Sequence, residues 1–161
     1  MFREMRRKKQ ALSLEECRAV LDNGTSGVLA AAGDDGYPYA VPLSYAGDES
    51  KIFFHCAQSG HKLDAIARSD KVSFCVIDED QVAPEKFTTH YRSVVAFGRA
   101  RILERPEEKR RALEILVDKY APDHKDSGLR EIDRLLNQTC VIELAVEHLS
   151  GKQSPALIKD E

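Results

Sequence analysis

The chain has 161 residues, of which 42% are hydrophobic and 32% charged, with a formal net charge of −3. That length is enough for one compact domain with a real core, and the near-neutral balance argues against a general nucleic-acid binder. No apolar run approaches the ~20 residues that span a bilayer, and residues 1–10, though basic, lack the apolar stretch of a signal peptide. A cytoplasmic protein without membrane or nucleic-acid partners is expected. Its four cysteines, Cys17, Cys56, Cys75 and Cys140, form no C-x-x-C pair, and a disulfide framework is not expected at this length in that compartment.

The elements run as follows. Met1 to Gln10 reads as a solvated basic arm. Ser13-Leu14-Glu15-Glu16 is a capping box opening a helix that stops at Gly24. Ser26 to Ala32 is an apolar strand, and Gly33-Asp34-Asp35-Gly36 turns it into a returning strand from Tyr37 to Ala46. Residues 47–50 turn again, and Lys51 to Ala57 is a third strand. A helix capped by Ser59 follows to about Ser69, then a strand over Lys71 to Ile77. Asp78 to Thr89 is acidic and polar and reads as a loop. Tyr91 to Glu104 is a long strand with a bulge or corner at Gly98. Pro106, Glu107 and Glu108 start a helix with Leu113, Leu116, Val117 and Tyr120 on its apolar face. A short helix opens at Ser127, and Thr139 to His148 alternates as a half-buried strand, with Glu143 and Glu147 outward. Ser150 to Glu161 is a polar tail.

The sum is about six strands and four helices. Tight turns between consecutive strands imply antiparallel pairing. The class is mainly β with flanking helices (α+β), and a small antiparallel barrel with helices outside would leave few open edges.

Three stretches carry candidate chemistry. In Phe53-Phe54-His55-Cys56-Ala57-Gln58-Ser59-Gly60-His61-Lys62 a strand passes through a polar turn into a helix start. His61 and Lys62 then stand at the positive end of the helix dipole, where acidic residues are favoured; a bound phosphate would resolve that conflict. Exposed surface residues are the plain alternative. In Tyr37-Pro38-Tyr39-Ala40-Val41-Pro42-Leu43-Ser44-Tyr45 the prolines interrupt a ladder. That marks an edge strand, or one whose free backbone groups at Val41 to Ser44 meet a flat heterocycle. Ser93 on the long strand is the third, a hydroxyl able to reach the same ring or to bond a neighbouring strand. His55, Cys56 and His61 do not make a good metal set, because adjacent strand residues point to opposite faces. There is no G-x-S-x-G elbow, G-x-G-x-x-G loop or P-loop.

These stretches, in this order, resemble the FMN-binding split-barrel family, which includes pyridoxamine 5′-phosphate oxidase and the smaller 5-nitroimidazole-resistance (Nim-type) proteins. The resemblance spans about Met5 to Arg105 and resumes at the last strand. It implies a six-stranded antiparallel split β-barrel holding FMN at a homodimer interface. His61 and Lys62 would hold the FMN phosphate, and His55, Cys56 and Ala57 would line the flavin and ribityl chain. Val41, Pro42, Leu43 and Ser44 would offer backbone groups to the isoalloxazine ring, with Ser93 reaching ring or ribityl. His55 is the best candidate for a proton donor, and the implied activity is that of an oxidoreductase acting on nitro or other electron-poor compounds. The chain has no Trp and lacks the Trp- and Arg-rich ending of pyridoxamine phosphate oxidase proper, so the Nim-type relatives fit better. A flavin- or haem-binding sensor on the same barrel, with His55, His61 or His90 as axial ligand, is the alternative.

Overall fold

A computed structural model describes residues 1–48 and 50–158. Four α-helices flank seven strands: α1 (Leu14–Asn23), β1 (Ser26–Ala32), β2 (Pro38–Ser44), β3 (Ala46–Asp48), β4 (Lys51–Cys56), α2 (His61–Arg68), β5 (Lys71–Ala83), β6 (Thr88–Ile102), α3 (Pro106–Tyr120), α4 (Lys125–Leu135) and β7 (Cys140–Gln153). All strands join one sheet in the order β2-β1-β5-β6-β7-β4-β3, and each pairing is antiparallel. β2 and β3 are the two edges of this order, yet only Tyr45 separates them in the chain. The sheet must therefore curl until its edges nearly meet. The expected six-stranded barrel is thus a seven-stranded sheet, left open because β2 and β3 exchange no ladder hydrogen bonds among the described residues.

The local signals at α1 act as expected. The Ser13 hydroxyl accepts from the Glu16 N–H at 3.1 Å, and the Glu16 carboxylate accepts from the Ser13 N–H at 2.7 Å. Pro106 begins α3, and the β6–β7 register shifts between Phe97 and Gly98. A Cβ at Gly98 would lie 2.0 Å from the Ala145 carbonyl oxygen, so that close approach requires glycine.

Three expectations change. Residues 78–89 are mostly strand: β5 and β6 continue as a ladder from Glu79↔Arg92 to Ala83↔Thr88, with a bulge at Asp78. Their polar side chains are exposed, so no hydrophobic alternation announced the pairing. β7 continues through Ser150 to Gln153, so the tail starts later; residues 159–161 lie outside the described residues, as does Glu49 of the 47–50 turn. Over residues 140–144 β7 is buried on both faces rather than one. Inside the curl, Cys140, Ile142 and Leu144 join Phe54, Phe74, Leu29 and Val94. Outside it, Val141 joins Phe53, Leu103, Leu113, Leu116 and Ile132 under the α3–α4 pair. Glu143 shares that covered face and is only 6% exposed. Burial is tolerated because Lys51 and Arg101 bond it at 3.0 and 2.9 Å.

Candidate functional site

The start of α2 is built around Gly60. Its φ of +143° is open to glycine and strained for other residues. Its carbonyl accepts from both Leu63 and Asp64, at 2.9 and 3.2 Å. The N–H groups of His61 and Lys62 precede these bonds and are free to meet a ligand. Ser59 does not cap the helix: Gly60 is the N-cap, and no side chain bonds the first turn.

The two basic residues differ. His61 packs on the Tyr39 ring (centroids 4.0 Å apart), and its Nε2 lies 3.5 Å from Asp34. Asp34 also takes a hydrogen bond from Arg68; that bond first, then the Arg68 and His61 charges, holds its carboxyl below the usual range. The dipole conflict at His61 is therefore met within the chain. Lys62 is half-buried and forms no ion pair among the described residues. It lies close enough to Cys56 for its charge to favour the thiolate.

β4 ends beside this turn. His55 is exposed, and Cys56 faces Cys140 across the β4–β7 ladder. Burial, then Cys140, pushes the Cys56 thiol up to about 11. Ala57 follows, exposed. On β2, Val41 and Leu43 pack against the inner core, while Pro42 and Ser44 face outward. β2 pairs only with β1 among the described residues, so backbone groups of Val41 to Ser44 along its other side have no ladder.

Ser44 and His55 come together. The Ala46↔Phe53 pairing, carried two residues back through Tyr45, sets them side by side. Both line a cavity of about 420 Å³ whose other walls include Leu113, Leu116, Val117 and Leu135. Ser93 is not brought to this place. It sits on the outward face of β6 between Ile77 and Lys152, three strands from β2, or ~14 Å at the usual strand spacing.

The helical wall and Tyr120 lie outside the three stretches that carry candidate chemistry in the sequence. The Tyr120 hydroxyl accepts from the Tyr45 N–H at 2.9 Å and lies 2.6 and 2.7 Å from the Tyr45 and Thr25 carbonyls. It thereby fixes the corner that carries Ser44. The only signal in the sequence was an apolar face on α3 that also ends in a tyrosine.

With this geometry the chain can be placed. A curled antiparallel sheet flanked by four helices among the described residues, with Lys62 in the first turn of α2, defines a mainly β protein with flanking helices. The family described as pyridoxamine 5′-phosphate oxidase matches residues 13–153, and the chain belongs to it. Among solved structures, the FAD- and haem-binding protein from Mycobacterium smegmatis is 25% identical over 95% of this chain and 77% of its own, with a TM-score of 0.78. An FAD-binding protein from Mesorhizobium loti is 27% identical over 90% of this chain and 97% of its own, with a TM-score of 0.62. A candidate 5-nitroimidazole antibiotic resistance protein from Bacteroides thetaiotaomicron shares the fold at 19% identity, covering 89% and 86% of the two chains, with a TM-score of 0.72. No curated protein matches the chain. No helix among the described residues is long and apolar enough to cross a membrane.

Proposed function

We propose that this protein binds a flavin, FMN in the first instance, and serves as an oxidoreductase of nitro or other electron-poor small molecules. The observation that carries the reading is the start of α2: a glycine N-cap and, among the described residues, N–H groups at His61 and Lys62 without a partner and a lysine without an ion pair. That donor set fits a phosphate. The flavin-binding neighbours from M. smegmatis and M. loti support the same choice. Bound flavin would supply hydride chemistry. The protein's part is to hold the phosphate through Lys62 and the α2 N–H groups, with His61 steadied by Asp34 and Tyr39. The open side of β2 from Val41 to Ser44 orients the ring edge, His55 to Ala57 line the chain between ring and phosphate, and His55 holds a proton beside the ring.

A second copy completes the site in this reading. In this reading the second copy would cover exposed apolar side chains such as Val28, Ile77, Val82 and Phe87, left 38%, 64%, 67% and 97% exposed. Ser93, far from its own β2, would then serve the partner's flavin, and sedimentation of the purified protein tests for the dimer. The haem reading keeps one candidate ligand, since of His55, His61 and His90 only His55 lines the cavity beside α3 and α4; a Soret band would favour it.

The test is an absorption spectrum followed by titration with FMN. Loss of one charge-assisted contact costs about 1.5–3 kcal/mol, so Lys62→Ala should weaken FMN at least tenfold. Absence of flavin binding in the wild type would refute the proposal.

A further inference from the structure

We propose that the cavity between the α3–α4 pair and the strand ends is a second ligand site, and that it takes a flat, uncharged molecule of about two fused rings with one polar atom. The inference rests on the flavin reading for its role as substrate site, but not for its existence. The cavity of about 420 Å³ lies in the range of small-molecule pockets. Leu113, Leu116 and Val117 line it from α3, and Ile132 and Leu135 from α4.

Its polar lining is largely committed. The Tyr120 hydroxyl is engaged with Tyr45 and Thr25. The Thr139 hydroxyl donates to the Leu135 carbonyl at 3.0 Å. The Glu131 carboxylate is held by Arg134. Ser44 and His55 remain, both on the strand side where the flavin ring would end. The site thus has an apolar helical wall and a single polar edge. Among the described residues no lysine or arginine lines it, and its one acidic residue, Glu131, is already paired with Arg134. A phosphate ester, the ligand suggested by the family's name, would meet Ser44 and His55 but no lysine or arginine among the described residues to balance its charge. An uncharged aromatic carrying a nitro or carbonyl oxygen toward His55 needs no such cation and matches both the apolar wall and the polar edge.

The purified full-length protein, with and without FMN, would be dialysed to equilibrium against 1-nitronaphthalene and, separately, pyridoxal 5′-phosphate. One nitronaphthalene per chain is expected, bound at least tenfold more tightly than the phosphate ester. Leu135→Trp, which fills the half-buried wall, should weaken nitronaphthalene at least tenfold and leave FMN affinity unchanged. If circular dichroism shows that variant misfolded, Leu135→Gln replaces it, with the same direction expected. Equal or tighter binding of pyridoxal 5′-phosphate, or indifference to the folded Leu135 variant, overturns the proposal. Haem displacing nitronaphthalene with a Soret band overturns the ligand class. Nitronaphthalene binding sensitive to Leu135 in a protein that takes no flavin supports the site and removes the flavin reading alone.

Discussion

Replacing Tyr120 by phenylalanine removes one oxygen and no ring, so the cost can be assigned to hydrogen bonds. The hydroxyl accepts from the Tyr45 N–H at 2.9 Å and has one proton to share between carbonyls 2.6 and 2.7 Å away. Tyr45 is fully buried and joins the two sheet edges, so water does not readily replace the lost partner of its N–H. An unsatisfied buried group costs about 1–3 kcal/mol. One donor and one carbonyl, with Tyr120 itself partly exposed, give about 2–3 kcal/mol. For a chain of this size each kcal/mol moves Tm by about 2–4 °C, so Tyr120→Phe should melt roughly 4–12 °C lower. Urea denaturation followed by circular dichroism gives the free energy directly. Tyr37→Phe, at a residue 76% exposed, is the control and should be silent. A Tyr120→Phe protein within about 0.5 kcal/mol of wild type would refute the reasoning and show that the β2–β3 corner is held by packing alone.

Glu143 makes stability depend on pH. Burial pushes its carboxyl up, but the hydrogen bonds from Arg101 and Lys51 outweigh that and bring it below the ordinary value. A pKa depressed in the folded state gives stability above the unfolded value, about 4.3, that is lost as pH falls through the folded one. The Tm advantage of wild type over Glu143→Gln should therefore shrink from pH 7 to pH 3, and a constant gap would count against the ion pairs. Gly98→Ala forces a Cβ to 2.0 Å from the Ala145 carbonyl, whereas at Gly47 the nearest atom is 3.4 Å away. The first should cost about 1–3 kcal/mol or more and the second little, as denaturation would show. Cys17 is buried and its thiol is pushed up to about 11 by burial and then Glu16, and Cys56 reaches the same value. Iodoacetamide at pH 7.5 should label both far more slowly in native protein than in urea, read by mass spectrometry; fast native labelling would contradict the burial of Cys17 and the raised thiol of half-buried Cys56.

Elements governed by neighbours in sequence were legible without a structure. The Ser13–Glu16 box, Pro106 at the head of α3, the apolar run of β1 and the bulge at Gly98 all follow from chemistry within a few residues. The stretch from His55 to Lys62 was legible as a strand-to-helix turn for the same reason. Its cap was misplaced because Ser59 is a good capping residue by type, while Gly60 alone reaches φ +143° without strain. What needed the tertiary structure was decided by pairing across long separations. Asp34 and Tyr39 reach His61 only because the turn before β2 folds back over α2. The ladder over residues 79–83 and 88–92 carries mostly polar, exposed or half-buried side chains, so backbone bonding made a strand where side-chain pattern could not report one. Glu143 looked outward by alternation and is buried, since α3 and α4 cover that face and Arg101 and Lys51 compensate its charge. Ser44 and His55 share a cavity because Tyr45 carries the chain from one sheet edge to the other. Local chemistry wrote the elements; the curl of the sheet, set by which strands exchange hydrogen bonds, brought the candidate site together.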